Sequence, residues 1–178
     1  MKAKMILAAL FIALTTMGFD CINNDFVVSV NIQGVTGTFY VNRGNGALFD
    51  GSKTFPASDY LNQDFSDEIK DVRIYDVRVS TGGPYTGSIS NGTVSVNGTL
   101  MLRIVNSTPW SAFNTPQSLL TSPYINRVPG GVGALVNAIR NKQDITIRGF
   151  GSLSAPVDRD STYFLSVEVL GQVDASVQ

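Results

Sequence analysis

The side chains able to do chemistry in this chain are few, and their types narrow the field. There is no histidine, a single cysteine (Cys21) and two glutamates, Glu68 and Glu168. Without imidazole, Ser-His-Asp and Cys-His assemblies cannot be built and histidine-ligated zinc is excluded. One cysteine can make neither an internal disulfide nor a dithiol redox pair. Carboxylate chemistry remains. A glycosidase needs two acids flanking a sugar, and Glu68 with Glu168 are the pair to consider. Glu168 stands between Val167 and Val169, which places it on the polar side of a strand rather than in a cleft. Asp64, Asp67, Glu68 and Asp71 form one acidic cluster, and Asp158 and Asp160 a second. Either could offer oxygens to a hard cation, but neither has the spacing of a calcium loop, and Lys70 and Arg73 neutralise the first. The expectation is a charged surface, with no metal, no cofactor and no catalytic residue.

Other motifs are equally sparing. Gly130-Gly131-Val132-Gly133 can present backbone N–H groups to an anion, but it lacks a Walker lysine and reads as a loose lead-in to a helix. Basic and acidic residues balance at 13 and 14. No basic run exists to neutralise a phosphate backbone, so nucleic-acid binding is disfavoured. Asn91-Gly92-Thr93, Asn97-Gly98-Thr99 and Asn106-Ser107-Thr108 fit the N-glycosylation pattern; the first two read as turn chemistry. The segment 106–131 is rich in Ser, Thr, Pro and Asn and carries the single tryptophan, Trp110, together with Phe113 and Tyr124. Two readings are open: a docking surface on a rigid scaffold, or a plug closing one end of it.

At the N-terminus, Lys2 and Lys4 precede an uninterrupted apolar run from Met5 to Leu14. That length suits the core of a secretory signal, since spanning a bilayer takes about 20 residues. Cys21 follows at the position where a bacterial lipoprotein carries its acylated residue. Residues 1–21 thus resemble a bacterial lipoprotein precursor, with Asp20 departing from the small residue that family prefers before the cysteine. The resemblance implies a signal peptide at 1–20, lipidation of Cys21, a tether at 21–24 and export to the cell envelope. Cleavage after Gly18, leaving a secreted protein, is the alternative.

The elements that must hold these residues are mostly strands. Composition is 43% hydrophobic and 15% charged, with 17 glycines, an all-β signature when β-branched residues and turn formers abound. Alternation is clear at 26–32, 35–41, 100–104, 145–154 and 161–173. Along 71–81 the apolar phase changes, with Val72 and Ile74 against Tyr75, Val77 and Val79, which predicts a bulge. Turns are expected at 43–46, Asp50-Gly51, Asn91-Gly92 and Asn97-Gly98. Helical turns are expected after Ser66, Thr108 and Thr115, and one α-helix over 131–141, with Val132, Leu135, Val136 and Ile139 on its stripe. The predicted fold is a single domain, residues 25–178, built as a two-sheet antiparallel β-sandwich, immunoglobulin-like or jelly-roll-like. A partly open β-barrel is the alternative.

The function expected is non-enzymatic: an envelope lipoprotein or secreted protein whose sandwich binds a protein, glycan or lipid, with membrane contact through Cys21. A structural subunit of an extracellular fibre or surface layer is the second reading, with strand 26–32 as donor to a neighbour's sheet. A carboxylate-based polysaccharide hydrolase is the third.

Overall fold

The alternating segments become strands that pair antiparallel throughout. The computed structural model describes residues 26–31, 35–40, 48–61, 69–155 and 162–177. The leader, Cys21, the turn at 43–46, the Ser66 turn, Asp64, Asp67, Glu68, Asp158 and Asp160 lie outside the described residues.

One sheet is organised around a long central strand, β11 (Phe164–Val177). On one side it pairs along its length with β4 (Ile69–Gly82). On the other it pairs end to end with β1 (Phe26–Asn31) and β2 (Val35–Tyr40). The short β8 (Gln117–Ser118) flanks β4. Inward pairs such as Val79 with Val167, Val77 with Val169 and Val72 with Val173 are buried, the arrangement in which β-branched residues pack best. The second sheet runs β3 (Leu48–Phe55), β10 (Ile145–Leu153), β5 (Ser88–Val96), β6 (Thr99–Ile104) and β9 (Ile125–Arg127), with β7 (Thr108–Pro109) also beside β5. The two sheets enclose one core, including Phe49, Ile89, Ile147 and Leu165 at 0% exposure. This is the sandwich, not a closed barrel.

The phase change in β4 is a bulge. Leu170 faces Asp76 and Gly171 faces Ile74, leaving Tyr75 as the extra residue, 51% exposed. Gly171 is required there, because a Cβ would lie 2.6 Å from the Arg73 carbonyl oxygen.

The two Asn-Gly dipeptides part company. Asn97 and Gly98 have φ of 47° and 79°, joining Val96 to Thr99 in a two-residue hairpin, as a primed turn demands. Asn97 also accepts the Thr146 N–H at 2.7 Å and donates to the Asp144 carbonyl at 3.1 Å, tying the turn to β10. Asn91-Gly92 is not a turn. Strand β5 continues through it with Asn91 at φ 53°, and both residues oppose Gly151 in a bulge. The Asn106 side chain accepts the Asn91 N–H at 2.8 Å, giving the displaced donor a partner. Asp50-Gly51 likewise continues β3, paired with Phe150 and Gly149.

Helical expectations near 108–118 also need correction. Thr108 donates its hydroxyl to the Val105 carbonyl at 2.6 Å, and the 3-10 turn Trp110–Phe113 starts after Pro109. After Pro116 the chain is extended as β8 rather than helical. An additional turn, α1 (Ala57–Tyr60), follows Pro56. The expected helix is present as α2 (Gly131–Arg140), burying Leu135, Ala138 and Ile139. It touches β4 of one sheet and β5, β6 and β10 of the other, so it closes the gap between them. The apolar strand at 26–31 is already paired within its own sheet, which counts against its serving as a free donor.

Candidate functional site

Trp110 and Phe113 belong to the core. Both have 0% exposure, with Trp110 edge-on to Tyr85 at 5.5 Å and Thr81 donating to the Trp110 carbonyl. Tyr85 meets Tyr163 edge-on and its hydroxyl holds Ala155 through both backbone groups, at 2.8 and 2.9 Å. Of the three aromatic residues expected at a surface, Tyr124 is the one that reaches solvent, tilted against Phe113 at 6.3 Å. The plug reading therefore describes Trp110 and Phe113. Gly131 serves packing, lying against the Met101 backbone, whereas Gly130 turns the chain into the helix at φ 96°.

Five of the described acids, Asp50, Asp71, Asp76, Glu168 and Asp174, are tied to arginines. Glu168 is opposite Arg78 on the outer side of the first sheet, 3.9 Å from its guanidinium, as a strand residue facing outward. Arg78 also bonds Asp76 at 3.1 Å, and Asp76 accepts from Ser118. Arg73 bridges Asp71 at 2.8 Å and the buried Asp174 at 3.3 Å. Its hydrogen bond to Asp71 holds that carboxyl below the usual range, and the same bond raises the arginine. Among the described residues no group of three metal-ligating side chains exists.

A different surface gathers side chains by register. On β10, Ile145, Ile147 and Leu153 face the core, so Arg148 and Phe150 face out. Across the second sheet Asp50 opposes Phe150, Phe150 opposes Thr93, Thr93 opposes Arg103 and Arg103 opposes Asn126. One row therefore crosses all five strands, on the order of 20 Å at the usual strand spacing. A second row sets Ser52, Arg148, Ser95 and Leu100 beside it. Bulges at Asn91-Gly92 and at Met101, which is passed over between the Val94–Leu102 and Ser95–Leu100 pairs, flank the rows. Bulges bend a strand and increase its twist.

Two open concavities meet at Thr93 on this face. One, about 420 Å³, is lined by Asn91, Thr93, Arg103, Asn106 and Asn126. The other, about 380 Å³, is lined by Thr93, Ser95, Leu100, Arg148 and Phe150. The two arginines differ. Arg148 forms a two-pronged pair with Asp50, both contacts 2.9 Å, which lowers the carboxyl and raises the guanidinium. Arg103 has no carboxylate within ion-pair distance among the described residues. Phe150 is 37% exposed, an apolar ring among hydroxyls, amides and guanidinium groups.

These residues escaped sequence reasoning because they come from five different strands. The available signal was Phe150, an aromatic residue out of phase with Ile145 and Ile147.

No protein-family model matches the chain, and no curated protein matches it. Among solved structures, the chain is similar to one titled "Crystal structure of decameric BFDV Capsid Protein", at 12% identity and a TM-score of 0.40, covering 84% of this chain and 99% of that one.

Proposed function

We propose that this chain is an exported, non-catalytic binding protein, held at the cell envelope through an acylated Cys21, and that it binds extracellular polysaccharide on the outer face of its second sheet. The observation carrying this reading is the Phe150–Thr93–Arg103–Asn126 row with its paired concavities. A sugar offers hydroxyls that both donate and accept, and an apolar C–H face. The row supplies matching groups: hydroxyl and amide side chains that do both, and one ring to stack on. A stable protein interface favours an apolar, well-packed centre, and a lipid chain an enclosed apolar cavity. This face is open and mixes polar side chains with apolar Phe150 and Leu100, so it is neither an enclosed cavity nor a continuous apolar centre. Asp50, the carboxylate of the row, is kept ionised by Arg148, so it anchors the guanidinium rather than donating a proton.

The test is affinity electrophoresis of the protein through gels holding neutral or acidic polysaccharides. Retardation by at least one polymer, with polymer length unchanged and retardation abolished by Phe150→Ala, is expected. Migration unaltered by every polymer refutes the reading. Mass spectrometry of the natural N-terminus is expected to show acyl mass on Cys21; an unmodified thiol removes the anchor.

A further inference from the structure

Two features of the row differ in kind, and their separation defines a ligand. Phe150 lies on β10 and Arg103 on β6, with β5 between them. Their Cα atoms are therefore two strand spacings apart, about 10 Å. Each sits in its own concavity, and Thr93 is common to both. A sugar stacked on Phe150 occupies one concavity, and Arg103 lines the other. The site is built for at least two linked units running across the strands.

Charge decides what the second unit carries. Arg148 is satisfied by Asp50, whereas Arg103 presents an exposed guanidinium with no carboxylate partner among the described residues. Asn126 stands opposite Arg103, and Asn106 lines the same concavity. The chain as a whole carries a formal charge of −1, so the charge Arg103 offers is local to this concavity rather than part of a general positive field. A planar guanidinium accommodates a planar carboxylate through two parallel hydrogen bonds.

We infer that the ligand is an acidic polysaccharide, with a neutral or acidic sugar stacked on Phe150 and the carboxylate of a neighbouring uronic acid held by Arg103. This inference rests on the polysaccharide-binding reading above and adds the charge and the minimum length of the ligand.

The probes are polygalacturonate and its fully methyl-esterified form, which share a backbone and differ in charge, and monomeric galacturonate. Binding to the full-chain protein is measured by titration calorimetry at low and high salt. Polygalacturonate is expected to bind at least tenfold more tightly than the ester, to weaken as salt rises, and to exceed the monomer by more than tenfold. Arg103→Ala is expected to abolish the preference for the acid form. Arg127→Ala removes an equal charge from an exposed residue outside both concavities and is expected to bind like wild type. Equal affinity for acid and ester, or an Arg103→Ala protein that keeps the preference, overturns the assignment of Arg103 while leaving polysaccharide binding intact. An Arg127→Ala loss equal to that of Arg103→Ala overturns it as well. If acid, ester and every neutral polymer fail to bind, the underlying reading falls with it. Both arginines are exposed, so unchanged thermal unfolding of the variants separates lost binding from lost folding.

Discussion

Gly131 and Gly133 stand two residues apart in the same helix, and alanine at each is predicted to act with opposite sign. A Cβ on Gly131 would lie 2.2 Å from Met101 Cα and 2.6 Å from the Leu100 carbonyl oxygen. Ordinary carbon contacts need about 3.5–4.0 Å. Both obstacles are anchored in the backbone of β6, so no rotamer change relieves them. The helix must lift by more than about 1 Å, and Leu135 and Ile139, both at 0% exposure, must move with it. Overpacking of this kind costs about 1–3 kcal/mol. Replacing glycine returns at most about 1 kcal/mol through helix propensity and a less flexible unfolded chain. The balance is a loss of about 1–2 kcal/mol. Nothing lies within 4 Å of a Cβ on Gly133, so there the same propensity gain stands unopposed, at about 0.5–1 kcal/mol.

In a chain of this length 1 kcal/mol moves Tm by about 2–4 °C. Gly131→Ala is expected to melt roughly 2–8 °C lower than wild type, and Gly133→Ala roughly 1–4 °C higher. Calorimetric unfolding of the three proteins under one condition measures this. A Gly131→Ala protein as stable as Gly133→Ala would show that α2 is not seated on β6 by the absence of a side chain at 131.

Asn97→Ala removes the side chain that bridges the hairpin to β10 and places alanine at φ 47°; a loss of about 2 kcal/mol is expected, and urea midpoints equal to wild type would contradict it. Asp50 has its carboxyl lowered by Arg148, so the pair's contribution is complete above the unfolded value of about 3.9 and fades as pH falls through the lower folded value. Both partners are well exposed, so the contribution is small; Asp50→Asn is expected to lower Tm slightly at pH 7 and to lose less on acidification to pH 2, and a steeper acid loss contradicts the sign. Trp110→Ala is expected to cost about 3–5 kcal/mol, whereas Phe150→Ala, at a ring 37% exposed, costs about 1 kcal/mol while removing polysaccharide retention. Reversed ranks in denaturant titrations would mean that core and surface have been exchanged.

Sequence exposed some of this architecture and hid the rest for identifiable reasons. Tyr163, Leu165, Val167 and Val169 are buried in strict alternation, so β11 is readable directly. The β4 bulge is readable too, because Val72 and Val77 cannot share a face without an extra residue between them. Asn91-Gly92 and Asn97-Gly98 show the opposite case. Both asparagines adopt positive φ, as local propensity says, but that conformation serves a turn or a bulge equally well. The choice is made by a partner 15 residues away, the Asn106 side chain that satisfies the Asn91 N–H. Trp110 and Phe113 sit in a segment composed like a surface loop, and only contact with Tyr85 and β4 buries them.

Where a binding surface can lie follows from what closes the sandwich. Helix α2 contacts strands of both sheets, and the Trp110–Phe113 turn packs on β4 and β7. Each thereby occupies space between the layers, and residues 108–113 have their large side chains committed to the core. Neither covers the outer side of β10, β5 and β6. Residues on that side face water, and for Thr93, Ser95, Arg103 and Arg148 the choice of polar side chains needs no further explanation. Phe150 does. Its strand already buries Ile145, Ile147 and Leu153 at 5% exposure or less, so the ring adds little to the core and instead lines a concavity together with Leu100. Placed one strand from Thr93 and two from Arg103, which has no carboxylate partner among the described residues, it makes sense as half of a recognition pair. Register, not sequence proximity, builds that pair, and for that reason the site becomes visible once the strands are aligned.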